Sequence, residues 1–140
     1  MLKSFGAPSA DVTFPGGVSA LSRKIAEQYG LNWVENVVLD EYDALIILDT
    51  ASLEVLGPAR DWVRRFSGLL VGIDHHAKNP EFSKIFNFYV CKEDYTSTCE
   101  VLCEFIEKTG FKPPPDVAEL LLIGIIYDSV SYTHLTLPTN

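Results

Sequence analysis

Apolar residues in this chain fall into two kinds of run, and their spacing predicts the order of the elements. Asp43 to Asp49 (DALIILD) is continuously apolar between acidic ends, and Gly68 to Ile73 (GLLVGI) repeats the pattern. Short unbroken runs of this kind predict strands of a parallel sheet, buried on both faces. Phe86 to Val90 (FNFYV), aromatic and β-branched, predicts a further strand, as does Asp11 to Phe14 (DVTF) before the Pro15-Gly16-Gly17 break. Between them lie helical stretches. Val18 to Gly30 (VSALSRKIAEQYG) closes on a glycine, and Pro58 to Phe66 (PARDWVRRF) is short and amphipathic. Ser97 and Glu100 have capping-box spacing ahead of TCEVLCEFIEKTG, which ends at Gly110. After the rigid KPPP connection, Asp116 caps VAELLLIGIIYD, a helix so apolar all round that it should be buried, with Asp128 at its C-terminal end. Strands alternating with helices imply an α/β fold, a mainly parallel sheet flanked by helices.

A chain of 140 residues, 47% hydrophobic, suits one domain with a real core. No apolar run approaches the roughly 18 residues of a membrane span, and the start MLKSFGAPSADVT lacks a signal-peptide layout, so a cytoplasmic protein with no membrane partner is expected. Cys91, Cys99 and Cys103 are odd in number and lack C-x-x-C spacing, which predicts neither a disulfide framework nor a thiolate zinc site. The formal charge of −8 excludes a broad basic surface for long duplex nucleic acid. It does not exclude a small anionic substrate, because an acidic pocket holding divalent cations presents positive charge to a phosphate.

The last residues, Val130 to Asn140 (VSYTHLTLPTN), change character abruptly. They resemble the translation of a tagmentation sequencing adapter, so residues 1–129 are read as the native part and His134 carries no functional weight. A natural β-like tail is the alternative.

Ligands of open α/β sheets bind beyond the carboxyl ends of the strands. Here LIILD ends in Asp49, and LLVGID ends in Asp74 followed by His75 and His76. Carboxylates suit magnesium or manganese, and imidazoles shift the preference toward manganese, iron or zinc. Adjacent side chains point differently, so one histidine is expected to bind and the other to support. Asp128 at a helix C-terminus opposes the helix dipole, which favours a compensating cation.

The set LIILDTAS, LVGIDHHAKNP, STCEVL and LLIGIIYDS, in this order, resembles the DHH phosphoesterase superfamily over about Val18 to Asp128. That superfamily includes RecJ-like exonucleases, oligoribonucleases that also act on adenosine 3′,5′-bisphosphate, cyclic-dinucleotide phosphodiesterases and family II inorganic pyrophosphatases. The resemblance implies a Rossmann-like domain and hydrolysis of phosphoesters in short oligonucleotides or small nucleotides with two manganese ions, magnesium being an alternative. It also implies that Asp49, His75 and Asp128 are metal ligands, Asp49 as the bridging carboxylate, and that Asp74 and His76 support catalysis. The superfamily's early His-x-x-x-Asp-x-Asp pattern does not occur in these residues, and no C-terminal substrate domain is recognisable. An incomplete, inactive piece of a parent enzyme is therefore expected, with a homo-oligomer left open. A regulatory DHH-like module that senses nucleotides without hydrolysis is the second reading, and purely structural roles for Asp49, His75 and Asp128 the third. Gly16-Gly17, Arg64, Arg65, Lys78, Trp33 and Trp62 are read as turn, surface and packing residues.

Overall fold

The structure, a computed structural model, describes Ala7 and residues 9–136, the side chains of 131–136 excepted. It is an α/β fold built on three parallel strands, β1 (Ala44–Leu48), β2 (Leu69–Asp74) and β3 (Phe88–Cys91), in the order β1-β2-β3. Parallel pairing sends all the strand C-termini to one edge. Leu48 lies opposite Ile73, and the Asp49 N–H continues the ladder onto the Ile73 carbonyl at 3.0 Å. The register therefore delivers Asp49 beside the Asp74-His75-His76 segment.

Five α-helices connect and flank the strands among the described residues: α1 (Ala20–Gln28), α2 (Arg60–Arg65), α3 (Pro80–Ser83), α4 (Thr98–Thr109) and α5 (Pro115–Thr136). Ser19 caps α1 by accepting from the Ser22 N–H. At α4, Ser97 Oγ accepts from the Glu100 N–H at 3.2 Å, as the spacing predicts. The Glu100 carboxylate turns one residue further back, to the Thr96 N–H at 2.7 Å, so the box is completed at Thr96.

Ile47, Val63 and Leu70 form the centre of the core, packed by Leu45, Leu53, Leu56, Phe66 and Phe86. This is one face of the sheet. The other, with Ile46, Leu48, Leu69, Phe88 and Val90, is exposed, so the expectation of burial on both faces holds for one face only. Unbroken apolar patterning records which residues tolerate burial, not which face is covered in this chain. The same applies to α5, where Leu122, Ile126 and Tyr127 are exposed although Gly124 packs directly against Cys99 of α4.

Two other expectations are corrected. Asp11 to Phe14 is not a strand; its Val12 carbonyl takes a single hydrogen bond from the Val34 N–H, and Pro15 follows before any ladder can extend. The last helix does not stop at Asp128 but runs to Thr136, because Ser129 to Thr136 contains neither glycine nor proline. Asp128 is thus an interior residue of α5, away from the helix C-terminus whose dipole would favour a compensating cation. Of the adapter-like segment, side chains from 131 onward and residues 137–140 lie outside the described residues. No helix among the described residues is long and apolar enough to cross a membrane.

Gly72 links the core to the strand ends. A Cβ there would meet the Tyr89 ring at 2.5 Å and the Phe86 ring at 2.9 Å, so only glycine lets Tyr89 lie across β2 with its hydroxyl on Asp74. Gly72→Ala is expected to destabilise the chain by about 1–3 kcal/mol through overpacking, read as a lower urea midpoint.

Candidate metal centre

Each strand end places its acidic residue differently. Asp49 leaves β1 in the left-handed region at φ 62°, which aspartate tolerates better than most residues. Its half-exposed carboxylate accepts from the Thr98 hydroxyl at 2.7 Å and lies 3.5 Å, through Oδ1, from His75 Nε2. Asp74, by contrast, is 1% exposed and organises the turn after β2. Its Oδ1 accepts from the His75 N–H at 2.9 Å and from His76 Nδ1 at 2.7 Å, and its Oδ2 accepts from the Tyr89 hydroxyl at 3.2 Å.

These hydrogen bonds set the tautomers of both histidines. His75 is buried, and its Nδ1 faces the Tyr95 carbonyl at 3.3 Å. A carbonyl only accepts, so Nδ1 is the nitrogen that donates there, which leaves Nε2, the nitrogen facing Asp49, as the one able to ligate metal. His76 donates from Nδ1 to Asp74 in the same manner, leaving its Nε2 as the outward nitrogen. Asp49, His75 and His76 each bring one potential ligand atom into a group within 4.8 Å. One carboxylate oxygen and two imidazole nitrogens suit manganese, iron or zinc better than magnesium alone. The donor set therefore fits a transition metal.

The sequence assigned the two histidines different directions, yet their ring centroids are 4.3 Å apart. Strand alternation does not govern them, because β2 ends at Asp74. Asp128 is not in the cluster of ligand atoms, although it lies within its electrostatic reach. Burial raises the proton affinity of Asp128, the Asp49 charge adds to this, and His75 and His76 oppose it. Thr98, Tyr89 and the Tyr95 carbonyl escaped the sequence reading. Only the capping signal at Ser97 pointed toward the first of them.

The hydrogen bond to Asp74 raises the pKa of His76, against partial burial, and the charges of Asp74, Asp49 and Asp128 add to the rise. A raised folded-state value means that protonated His76 stabilises the fold below its unfolded pKa, and that this contribution is lost as pH rises through the higher folded pKa. In a pH titration followed by NMR, the metal-free His76 ring is expected to titrate above the ordinary value near 6.5, and Asp74→Asn to lower its midpoint.

A sequence profile of the DHH family, N-terminal domain, matches residues 9–125. The chain belongs to the DHH family. It is also 36% identical over 116 residues to an uncharacterized protein of Methanocaldococcus jannaschii, a match covering 80% of this chain and 33% of that protein. The chain therefore spans about a third of the length of that relative. Membership places this DHH domain in a superfamily of phosphoesterases that are generally metal-dependent, and the Asp49-His75-His76 group is a possible metal-binding group of the kind such chemistry needs.

Proposed function

We propose that this DHH domain is the metal-binding part of a manganese-dependent phosphoesterase that hydrolyses short oligonucleotides or small nucleotide phosphates. The observation that carries the reading is that Asp49 Oδ1 and His75 Nε2 face each other at 3.5 Å at the carboxyl edge of a parallel sheet, with a His76 ring nitrogen in the same group within 4.8 Å. In this reading Asp49, His75 and Asp128 hold metal, with manganese preferred to magnesium because imidazole is among the donors. Bound metal ions would supply an acidified water and positive charge at the phosphoryl oxygens.

The chain's own residues supply orientation and proton control. Asp74 holds the His75 backbone and the His76 ring in one arrangement, and Tyr95 keeps His75 Nε2 as the ligand nitrogen. His76, exposed and favoured in its protonated form by Asp74, is suited to donate a hydrogen bond to a phosphoryl oxygen. A net charge of −8 argues against a broad counterion-releasing surface for long duplexes, which supports a short substrate.

The test is phosphate release from a dinucleotide and from adenosine 3′,5′-bisphosphate in manganese. For this chain, whose residues do not include the His-x-x-x-Asp-x-Asp donors, the expected rate is no higher than that of His75→Ala. For a reading frame that adds those donors, His75→Ala is expected to lower hydrolysis by about 10³-fold, or about 4 kcal/mol of barrier. Nucleotide binding without any metal-dependent turnover in that frame would instead favour a sensing module.

A further inference from the structure

Among the described residues, two contacts to the candidate metal ligands come from outside the strand ends, the Tyr95 carbonyl on His75 Nδ1 and a side-chain contact from Thr98. Thr98, 5% exposed, is the first residue of α4 and donates its hydroxyl to Asp49 Oδ1 at 2.7 Å, although the two are 49 positions apart in sequence. The carboxylate it reaches needs a restraint. Asp49 lies beyond the last paired residue of β1, in a left-handed conformation, with its side chain half exposed. A carboxylate so placed rotates freely in water unless a fixed donor selects one rotamer. The oxygen selected is Oδ1, the same atom that faces His75 Nε2 at 3.5 Å.

We propose that Thr98 is a positioning residue for the metal centre, its hydroxyl holding Asp49 Oδ1 toward His75 so that the two ligands face one ion. The inference rests on the reading of Asp49 and His75 as metal ligands. A hydroxyl occupies one of the four lone-pair sites of a carboxylate and leaves the others for metal. It also adds no charge that would compete with a cation. Helix α4 gives the hydroxyl a firm base. Ser97 caps it and is fully buried, Glu104 on the same helix accepts from the Tyr95 hydroxyl at 2.9 Å, and the Tyr95 carbonyl holds His75 Nδ1. Helix α4 therefore fixes Asp49 directly through Thr98 and His75 through Glu104 and Tyr95. One rigid element orients both ligands, as supporting hydrogen bonds around metal sites commonly do.

The experiment measures Mn2+ affinity of the 140-residue chain by electron paramagnetic resonance of free Mn2+, with thermal unfolding of each metal-free variant alongside. Thr98→Val keeps the volume and removes the hydroxyl, and is expected to weaken Mn2+ binding by about 10-fold or more, the range for loss of a supporting partner. Thr98→Ser restores the hydroxyl and is expected to stay within about 3-fold of wild type, well short of that loss. Should circular dichroism show Thr98→Val misfolded, Thr98→Ala against Thr98→Ser gives the same contrast. Wild-type affinity in the valine or alanine variant would overturn the proposal, and so would equal weakening by serine, which would assign the effect to packing. Wild-type protein that binds no Mn2+ would overturn the metal-centre reading itself, a result distinct from the other two.

Discussion

Asp49→Asn is expected to lower Mn2+ affinity by more than about 100-fold, beyond the 10–100-fold typical of losing a supporting partner. Asparagine is the informative choice. It tolerates the left-handed conformation at φ 62° as aspartate does, and its amide oxygen still accepts from the Thr98 hydroxyl. The backbone and the contact to α4 are thereby kept, while the negative charge and two of the acceptor lone pairs are lost. Unfolding midpoints should change little, because the side chain is half exposed and no buried group loses its partner. Calorimetric titration with Mn2+ checks the affinity, and a urea melt checks the fold. Affinity retained within a few-fold would remove Asp49 from the ligand set.

Asp74→Ala should act on the fold itself and cost about 3 kcal/mol in urea unfolding, since hydrogen bonds to a charged group contribute about 1.5–3 kcal/mol each and a buried donor left alone is penalised. Asp74 accepts from three donors, the His75 N–H, His76 Nδ1 and the Tyr89 hydroxyl. His76 is about half exposed and can turn to water, so its share is discounted. The His75 N–H and the Tyr89 hydroxyl are held near the core and lose more. Burial and the neighbouring Asp74 charge raise the pKa of Tyr89, so its hydroxyl keeps its proton as a donor across the working pH range. Tyr89→Phe is the matching control. It should cost about 1.5 kcal/mol, the lower end of that range, for one hydrogen bond lost from a carboxylate that retains its other partners.

The strand ends were legible because parallel strands end at one edge, so two apolar runs that each close on a carboxylate predict a shared site. Asp49, Asp74, His75 and His76 all came from that rule. The start of β3 was placed two residues early, at Phe86 instead of Phe88. Asn87 explains the shift, since its side-chain carbonyl accepts from the Leu70 N–H at 2.7 Å just ahead of the ladder. Helix α3 is only four residues long, and its signal is a local one, Asn79 capping ahead of Pro80, with no apolar periodicity to mark it. The end of the last helix was misplaced because the abrupt change of character at Val130 reads as a boundary, although no glycine or proline interrupts the chain before Thr136.

What remained hidden was what holds the ligands in place. The Thr98 contact spans 49 positions, and no local pattern encodes a pairing that long. The Tyr95 contribution is a backbone carbonyl, which every residue possesses, so side-chain chemistry gives no sign of it. Burial of alternate strand faces was likewise unreadable, because coverage depends on packing and not on the strand's own residues.

The central claim is that the two strand ends form one metal centre. Paramagnetic broadening of backbone amide signals by substoichiometric Mn2+ tests it most directly, because the effect falls off steeply with distance from the ion. Broadening should be strongest at Asp49, Thr50, His75, His76 and Thr98, with Asp128 next, and should be abolished by Asp49→Asn. Strongest broadening at other acidic positions, such as Glu35 or Glu41, or the same pattern persisting in Asp49→Asn, would contradict the account.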